Sequence, residues 1–341
     1  MSISHESGVL SPRARIPLTS PLQERPALTG AACCLVSALA YTAADICLRQ
    51  LSRLGSDPVW TVCNKELVTV LIVGPWLLWQ AARRRPALPT GSTLLRLIAV
   101  GLLIQVAGNL STQWALGIVG LAVTIPAVFG VMITSSAVLG WFLLGERVSL
   151  RSMAAMALLV ASLVLLGVGA EAAGRSIAAP TEVTSDPLLV ALAVAAACLA
   201  GAVYSLLSVV IRHSVTQTTL PSAIALLITL MGVVSLGPLS LARLGPRQML
   251  ATPAEQGVLM AAAGIFNLVG FFALIHGLQR TTVVHANVLN ASQVALVAVA
   301  GMVIFREPLN PWLVLGVSLT VFGILWIDRP AEGELRVDQH I

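Results

Sequence analysis

Three charged side chains interrupt the hydrophobic runs near the start of this chain, Asp45 in the first run and Lys65 and Glu66 in the second. A charge inside a lipid bilayer costs about 2.5–3.5 kcal/mol on insertion scales, so each is expected to face a cavity or a partner. One interpretation pairs Asp45 with Arg49 one turn on and extends Lys65, the only lysine, to the outer interface. The other places Lys65 and one carboxylate at the mouth of a cavity, where they bind an ionic group or exchange a proton.

Amide side chains recur at helical spacing in two other runs, as Gln105, Asn109 and Gln113 in the third and Asn287, Asn290 and Gln293 in the ninth. Spacings of three and four residues place each set on one face of a helix. Amides exposed to lipid are costly, so these faces must point at other helices or at a wet pathway. Hydrogen bonding between helices explains any single amide, whereas a whole stripe favours a cavity, which Asn267 in the eighth run is also expected to line.

The chain has two tyrosines, Tyr41 and Tyr204, and each lies inside a hydrophobic run with an arginine eight residues later, Arg49 and Arg212. The two sets are offset by 163 residues. Tyrosines often mark membrane interfaces, but both lie several residues inside their runs. Paired aromatic walls of a central site are therefore the favoured interpretation.

A second duplicated pattern ends the fourth and ninth runs. Gly140 and Glu146 are matched by Gly301 and Glu307, 161 residues apart. One unit of five hydrophobic segments has thus been used twice, and crossing a membrane an odd number of times inverts the second copy. Both glutamates lie beside an arginine at a helix end, which predicts a structural or gating role.

The composition is that of a membrane protein. Hydrophobic residues make up 57% of the 341 residues and charged ones 10%, where a soluble domain carries roughly 25% charged residues. The arginines collect in short loops, a pattern that sets membrane topology and does not indicate nucleic-acid binding. The five cysteines lie in apolar runs without metal-ligand spacing, so no metal or redox chemistry is expected.

Ten runs approach the ~20 apolar residues that a membrane-spanning helix needs. They predict an all-α membrane protein with ten transmembrane helices in two inverted five-helix repeats, preceded by a disordered cytoplasmic tail at 1–27, joined by a linker at 171–186 and followed by a cytoplasmic tail at 329–341. The repeats are expected at 28–170 and 187–328. The helices are expected near 28–50, 59–80, 93–116, 119–144, 150–170, 187–211, 219–242, 255–278, 281–305 and 311–327.

The arginine distribution sets the expected orientation. With the N-terminus inside, the inner segments hold thirteen arginines and the outer ones six. Basic loops remain on the cytoplasmic side, so both termini are predicted to be cytoplasmic. The loop with Glu146 then faces inside and the loop with Glu307 outside, as inverted copies require.

The repeated glycine–glutamate pattern, Gly140 to Leu-Gly-Glu146 and Gly301 to Phe-Arg-Glu307, resembles the EamA-like branch of the drug/metabolite transporter superfamily over residues 28–328. The resemblance implies a secondary transporter of small metabolites, often an exporter, in a family that includes carriers of amino acids, sugar phosphates and nucleotide sugars. It also implies a basic residue early in the second helix, the position that Lys65 occupies. Glu66 beside it is less usual in the family.

The sequence therefore predicts an exporter of small metabolites such as amino acids that works by alternating access as a monomer in a bacterial inner membrane, with no cofactor, metal or nucleic-acid partner. The alternatives are an antiporter of phosphorylated or nucleotide-linked compounds and a membrane enzyme acting on lipid, which the absence of HExxH and GxSxG motifs disfavours. Glu146, Glu307 and the helix-kinking Pro126 are assigned to gating or structure. The predicted substrate-binding residues are Tyr41, Asp45, Lys65, Glu66, Asn109, Gln113, Tyr204, Asn267, Asn287, Asn290 and Gln293.

Overall fold

The computed structural model describes residues 24–83, 88–145, 149–177, 187–216, 219–304 and 311–326, and these ranges contain helices and no strand. Eleven α-helices and one π-helical segment follow in chain order. They are α1 (Glu24–Arg53), α2 (Pro58–Ala82), α3 (Gly91–Leu103), the π-helical segment (Ile104–Leu110), α4 (Ser111–Leu144), α5 (Leu150–Ile177), α6 (Pro187–Thr216), α7 (Pro221–Leu250), α8 (Ala254–Leu278), α9 (Val283–Asn290), α10 (Ser292–Ile304) and α11 (Pro311–Trp326).

Seven segments of the described chain are long and apolar enough to cross a membrane, which confirms the prediction of an all-α membrane protein. They are Leu28–Arg53, Pro58–Ala82, Gly91–Leu121, Val123–Leu144, Leu188–Val215, Pro221–Leu250 and Ala254–Leu278. Three shorter apolar helices, Leu150–Ser162, Val283–Val297 and Val314–Gly323, accompany them. Large apolar side chains such as Leu78, Phe142 and Leu188 are exposed on the outside of the helices, as lipid contact requires.

Several boundaries differ from those expected. Gly120 has φ +73° inside α4, so the third span continues past Gly117, where the sequence placed the break. This left-handed conformation is open to glycine and closed to most other residues. Helix α1 begins at Glu24, so residues 24–27 of the expected tail are helical. Helix α5 continues to Ile177, so residues 171–177 of the expected linker are helical as well.

The first loop between spans is fixed by Asp57. Its Oδ1 accepts hydrogen bonds from the backbone N–H groups of Val59 at 2.9 Å and Trp60 at 3.0 Å, which caps α2, while Pro58 occupies the first turn. Its Oδ2 lies 3.0 Å from the guanidinium Nη2 of Arg243 on α7. The cap therefore also ties the start of α2 to the second half of the chain.

The helices pack mainly across the two halves of the chain. Helix α1 packs on α8, α6 packs on α4, α2 packs on α7, and α5 packs on α11. The contact between α4 and α6 is built from small residues, with Ala193, Ala197 and Ala200 fully buried. Gly201 on α6 lies directly against the backbone of α4, because a Cβ at this position would overlap the backbone carbonyl oxygen of Val128. Small side chains let helix backbones approach and gain packing contacts that lipid cannot replace.

Candidate functional site

A cavity of about 140 Å³ lies where the two halves of the chain meet. All eleven residues that the sequence assigned to substrate binding line it. These are Tyr41, Asp45, Lys65, Glu66, Asn109, Gln113, Tyr204, Asn267, Asn287, Asn290 and Gln293. They share the wall with apolar side chains, among them Phe129, Met132 and Phe271.

Lys65 and Glu66 form a buried ion pair on α2. The Lys65 Nζ lies 3.0 Å from Glu66 Oε1, and the two residues are 6% and 2% exposed. Lys65 is therefore held inside the protein and does not extend to the outer interface. Glu66 also accepts a hydrogen bond from Asn109 Nδ2 at 3.1 Å, which links the ion pair to the third span.

Asn109 connects this pair to the second half of the chain. Its Nδ2 also donates to Gln105 Oε1 at 2.8 Å, and its Oδ1 accepts from the Tyr204 hydroxyl at 2.8 Å. The Tyr204 oxygen lies 3.3 Å from Thr112 Oγ1. A continuous polar chain therefore runs from Lys65 through Glu66 and Asn109 to Tyr204 on α6.

The amide stripe of the third span lies partly on the π-helical segment Ile104–Leu110. Residues four apart lie on the same side of a helix, which matches the direct bond between Asn109 and Gln105. Gln105 Nε2 donates in turn to the backbone carbonyl of Ile228 on α7 at 3.1 Å. Single π-helical turns are rare and frequently occur at functional sites.

Asp45 obtains its hydrogen bond from the other half of the chain, since Gln293 Nε2 on α10 donates to Asp45 Oδ2. One of the two sequence interpretations had paired Asp45 with Arg49 on its own helix. No ion pair within 4 Å joins Asp45 to Lys65, although both are described and both border the cavity.

Asn287, another predicted site residue, is hydrogen-bonded within the fold at both ends of its amide. Its Nδ2 donates to Ser136 Oγ at 2.6 Å, and its Oδ1 accepts from Ser208 Oγ at 3.1 Å. These bonds join α9 to α4 and α6. Asn287 therefore borders the cavity with both ends of its amide already satisfied by protein groups.

A model of the EamA-like transporter family matches the chain twice, over residues 28–168 and 191–328. The chain belongs to the EamA-like transporter family. It is thus a multi-pass integral membrane protein and a transporter of the drug/metabolite superfamily.

A likeness to solved structures supports the fold of this EamA-like transporter. A structure described as "Crystal structure of protein" is 16% identical and superposes with a TM-score of 0.66. The match covers 89% of this chain and 98% of the other. At this identity the likeness shows the fold alone, and no curated protein matches the chain.

In the EamA-like transporter each tyrosine ring lies against a glycine of the opposite half. A Cβ on Gly270 of α8 would lie 3.2 Å from the Tyr41 ring, and a Cβ on Gly108 of the π-helical segment would lie 3.3 Å from the Tyr204 ring. The tyrosines are 163 residues apart and the glycines 162. The same contact is thus made twice, each time between one half of the chain and the other.

Sequence reasoning missed three cavity residues of this transporter, Thr112, Ser208 and Thr229. Hydroxyl side chains can satisfy themselves on their own helix, as Thr229 does with the Ala225 carbonyl at 2.8 Å. Such hydroxyl groups therefore cost little free energy in a membrane span, so their presence in a hydrophobic run does not predict a polar site.

The remaining predicted positions are the three that the sequence assigned to gating or structure. Glu146 and Glu307 fall outside the described residues. Pro126 lies inside α4, next to the cavity residue Ile125. The described residues contain no cluster of three or more His, Cys, Asp or Glu side chains that could hold a metal ion.

Proposed function

We propose that this protein is a secondary transporter that exports small metabolites, amino acids or related compounds, by alternating access around the central cavity. The observation that carries the proposal is the polar network, in which α1 and α2 of the first half bond through cavity side chains to α6 and α10 of the second. A substrate held there contacts both halves. Movement of one half against the other then changes the side to which the cavity opens.

The architecture that would allow this movement is two five-helix repeats, over 28–170 and 187–328, related by a pseudo-two-fold axis in the membrane plane. The helix contacts support this arrangement. Exchange of the two halves would convert the packing of α1 on α8 into the packing of α6 on α4 and the π-helical segment. The duplicated tyrosine–glycine contacts support it as well. The same exchange would leave two helix pairs unchanged, the pair of α2 with α7 and the pair of α5 with α11.

One end of the bundle is closed by polar contacts that could break during such a movement. Arg243 pairs with Asp57 at 3.0 Å, Trp60 Nε1 donates to Thr252 Oγ1 at 3.0 Å, and Gln256 Nε2 donates to the Leu54 carbonyl at 3.2 Å. Each joins the α1–α2 region to α7, to α8 or to the loop between them. In the proposed orientation, with both termini in the cytoplasm of a bacterial inner membrane, this end faces outward.

The cavity charge disfavours the alternative of a carrier of phosphorylated compounds. Its ionisable lining consists of Asp45, Glu66 and Lys65, together with the two tyrosines. The lysine is already paired with Glu66. A phosphate group would thus meet two carboxyl groups and no spare cation, whereas phosphate recognition relies on Arg or Lys donors. A lipid-modifying enzyme would need converging nucleophile and base groups, and the polar chain from Lys65 to Tyr204 is instead occupied by its own hydrogen bonds.

Transport is tested directly in proteoliposomes that contain the purified protein and a panel of labelled amino acids, small amines and sugar phosphates. We expect uptake of at least one amino acid or amine. In a cysteine-free background, Asn267→Cys should lose that uptake when a water-soluble thiol reagent is added, because the reagent fills the cavity. The matched control is Leu250→Cys at the exposed end of α7, whose uptake should persist after the same treatment. No uptake of any solute would contradict the proposal.

The proposed orientation predicts the location of three reporters. A reporter fused after Ile341 and another in the loop before Gly91 should both lie in the cytoplasm, while a reporter near Ser185 should lie outside. The physical reason is the excess of arginine in the inner loops, which resist translocation. Alkaline phosphatase and fluorescent protein fusions measure the two compartments. If all three positions report the same side, the inverted repeat is wrong.

A further inference from the structure

Two residues that line the cavity each have a buried amide oxygen without a hydrogen-bond partner among the described residues. The two oxygens are Gln113 Oε1 and Asn290 Oδ1, on residues that are 3% and 5% exposed. Buried polar atoms are nearly always satisfied, and leaving one unsatisfied is unfavourable. Two such atoms on residues that line one cavity indicate a ligand that donates hydrogen bonds.

The orientation of Gln113 follows from its neighbours. Its Nε2 donates to Ser52 Oγ at 2.9 Å. The Ser52 hydroxyl gives its own proton to the Leu48 carbonyl at 3.2 Å, so it can only accept from Gln113. The amide nitrogen of Gln113 is therefore committed to α1, and its oxygen is left for a ligand.

Asp45 lines the same cavity as Gln113 and Asn290. Gln113 Nε2 also lies 3.5 Å from the Leu48 carbonyl, less than one helical turn after Asp45 on α1. Gln293 donates to Asp45 and is three residues after Asn290. These contacts tie Gln113 to the turn of α1 that follows Asp45, and they place Asn290 three residues before the residue that bonds Asp45. The second oxygen of Asp45 has no donor among the described residues.

We propose that Asp45, Gln113 and Asn290 form a subsite for a primary ammonium group of the transported substrate; this rests on the proposed transport function. A primary ammonium has three N–H donors and one positive charge, which match three acceptors of which one is a carboxylate. Because Glu66 neutralises Lys65, an ammonium at Asp45 also brings the buried charge of the site to zero. The apolar wall formed by Phe129, Met132 and Phe271 accommodates an apolar body attached to the amine.

The subsite is tested by calorimetric titration of the purified full-length protein with phenethylamine, its N,N,N-trimethyl analogue and 2-phenylethanol. The trimethyl compound keeps the charge and loses every N–H donor, and the alcohol loses the charge. We expect phenethylamine to bind at least about tenfold more tightly than either, since hydrogen bonds to charged groups contribute about 1.5–3 kcal/mol. Equal binding of the trimethyl analogue would overturn the proposal.

The variant Asn290→Leu separates a ligand contact from a structural role. It removes an unsatisfied buried oxygen, so the melting temperature should stay the same or rise, while phenethylamine binding weakens by roughly 10- to 100-fold. The matched control is Thr61→Val. It also removes a buried polar group without a partner, a hydroxyl on a residue outside the cavity lining, and should leave phenethylamine binding unchanged. Unchanged amine binding in Asn290→Leu, or an equal loss in Thr61→Val, would contradict the subsite.

The two proposals fail in different ways. Uptake of an amino acid that the Asn290→Leu variant leaves unchanged would remove the ammonium subsite and leave the proposed transport function standing. Binding of phenethylamine that depends on Asn290, without uptake of any solute, would support the subsite and contradict transport.

Discussion

The substitution Gly201→Ala is expected to lower the free energy of unfolding by about 3 kcal/mol, at the upper end of the usual range for overpacking. The added Cβ would overlap the Val128 carbonyl oxygen and lie 3.1 Å from the Met132 backbone nitrogen. Backbone atoms inside a helix cannot rotate away as a flexible side chain can. Helices α4 and α6 must therefore separate, and the alanine contacts between them are lost.

Thermal unfolding in detergent measures this effect, and we expect the melting temperature to fall by roughly 6–12 °C. The matched control is Gly257→Ala on α8, where an added Cβ meets nothing within 4 Å. That change should be neutral or stabilise the helix by up to about 1 kcal/mol, because alanine has the higher helix propensity. Equal melting temperatures for the two variants would show that α4 and α6 do not pack in this way.

The second large effect is expected from Lys65→Met. This change leaves Glu66 buried and charged, with the Asn109 amide as its remaining donor. Breaking a buried ion pair by removing one partner costs about 3–5 kcal/mol, so yield and melting temperature should fall. The double variant Lys65→Met with Glu66→Gln should recover most of the loss, since no unpaired charge remains.

Transport separates the structural role of Lys65 from a direct contact with substrate. If the double variant is stable and transports, Lys65 serves to hold Glu66. If it is stable and inactive, Lys65 or Glu66 contacts the substrate. Partial activity in Lys65→Arg would then favour an electrostatic role for the lysine, because a guanidinium stays protonated in proteins.

A surface ion pair provides the control for this experiment. Arg243 is paired with Asp57 at 3.0 Å, but its side chain is 53% exposed. Exposed pairs contribute about 0–1 kcal/mol, so Arg243→Met should change stability little. Wild-type stability and wild-type transport in Lys65→Met would contradict both roles of the lysine.

The sequence alone identified the elements and the polar positions of this protein. Hydrophobic runs of membrane-spanning length specify helices, because a helix satisfies its own backbone in lipid. Charges and amides in such runs are costly unless they face a polar space, so Asp45, Lys65 and Asn290 could be assigned to a cavity before any coordinates were considered. The duplicated tyrosine and glutamate patterns indicated the family.

The tertiary structure decided how those polar groups are used. Periodicity gives the face of a helix that a residue occupies, but it does not give the neighbouring helix or the direction of a hydrogen bond. Asp45 thus bonds to Gln293, about 250 residues away along the chain. The Asn287 amide is hydrogen-bonded to two serines, whereas the Asn290 oxygen has no partner among the described residues. The π-helical turn was equally invisible in sequence, because its wider turn is stabilised by contacts with other helices, such as the bond from Gln105 to the Ile228 carbonyl.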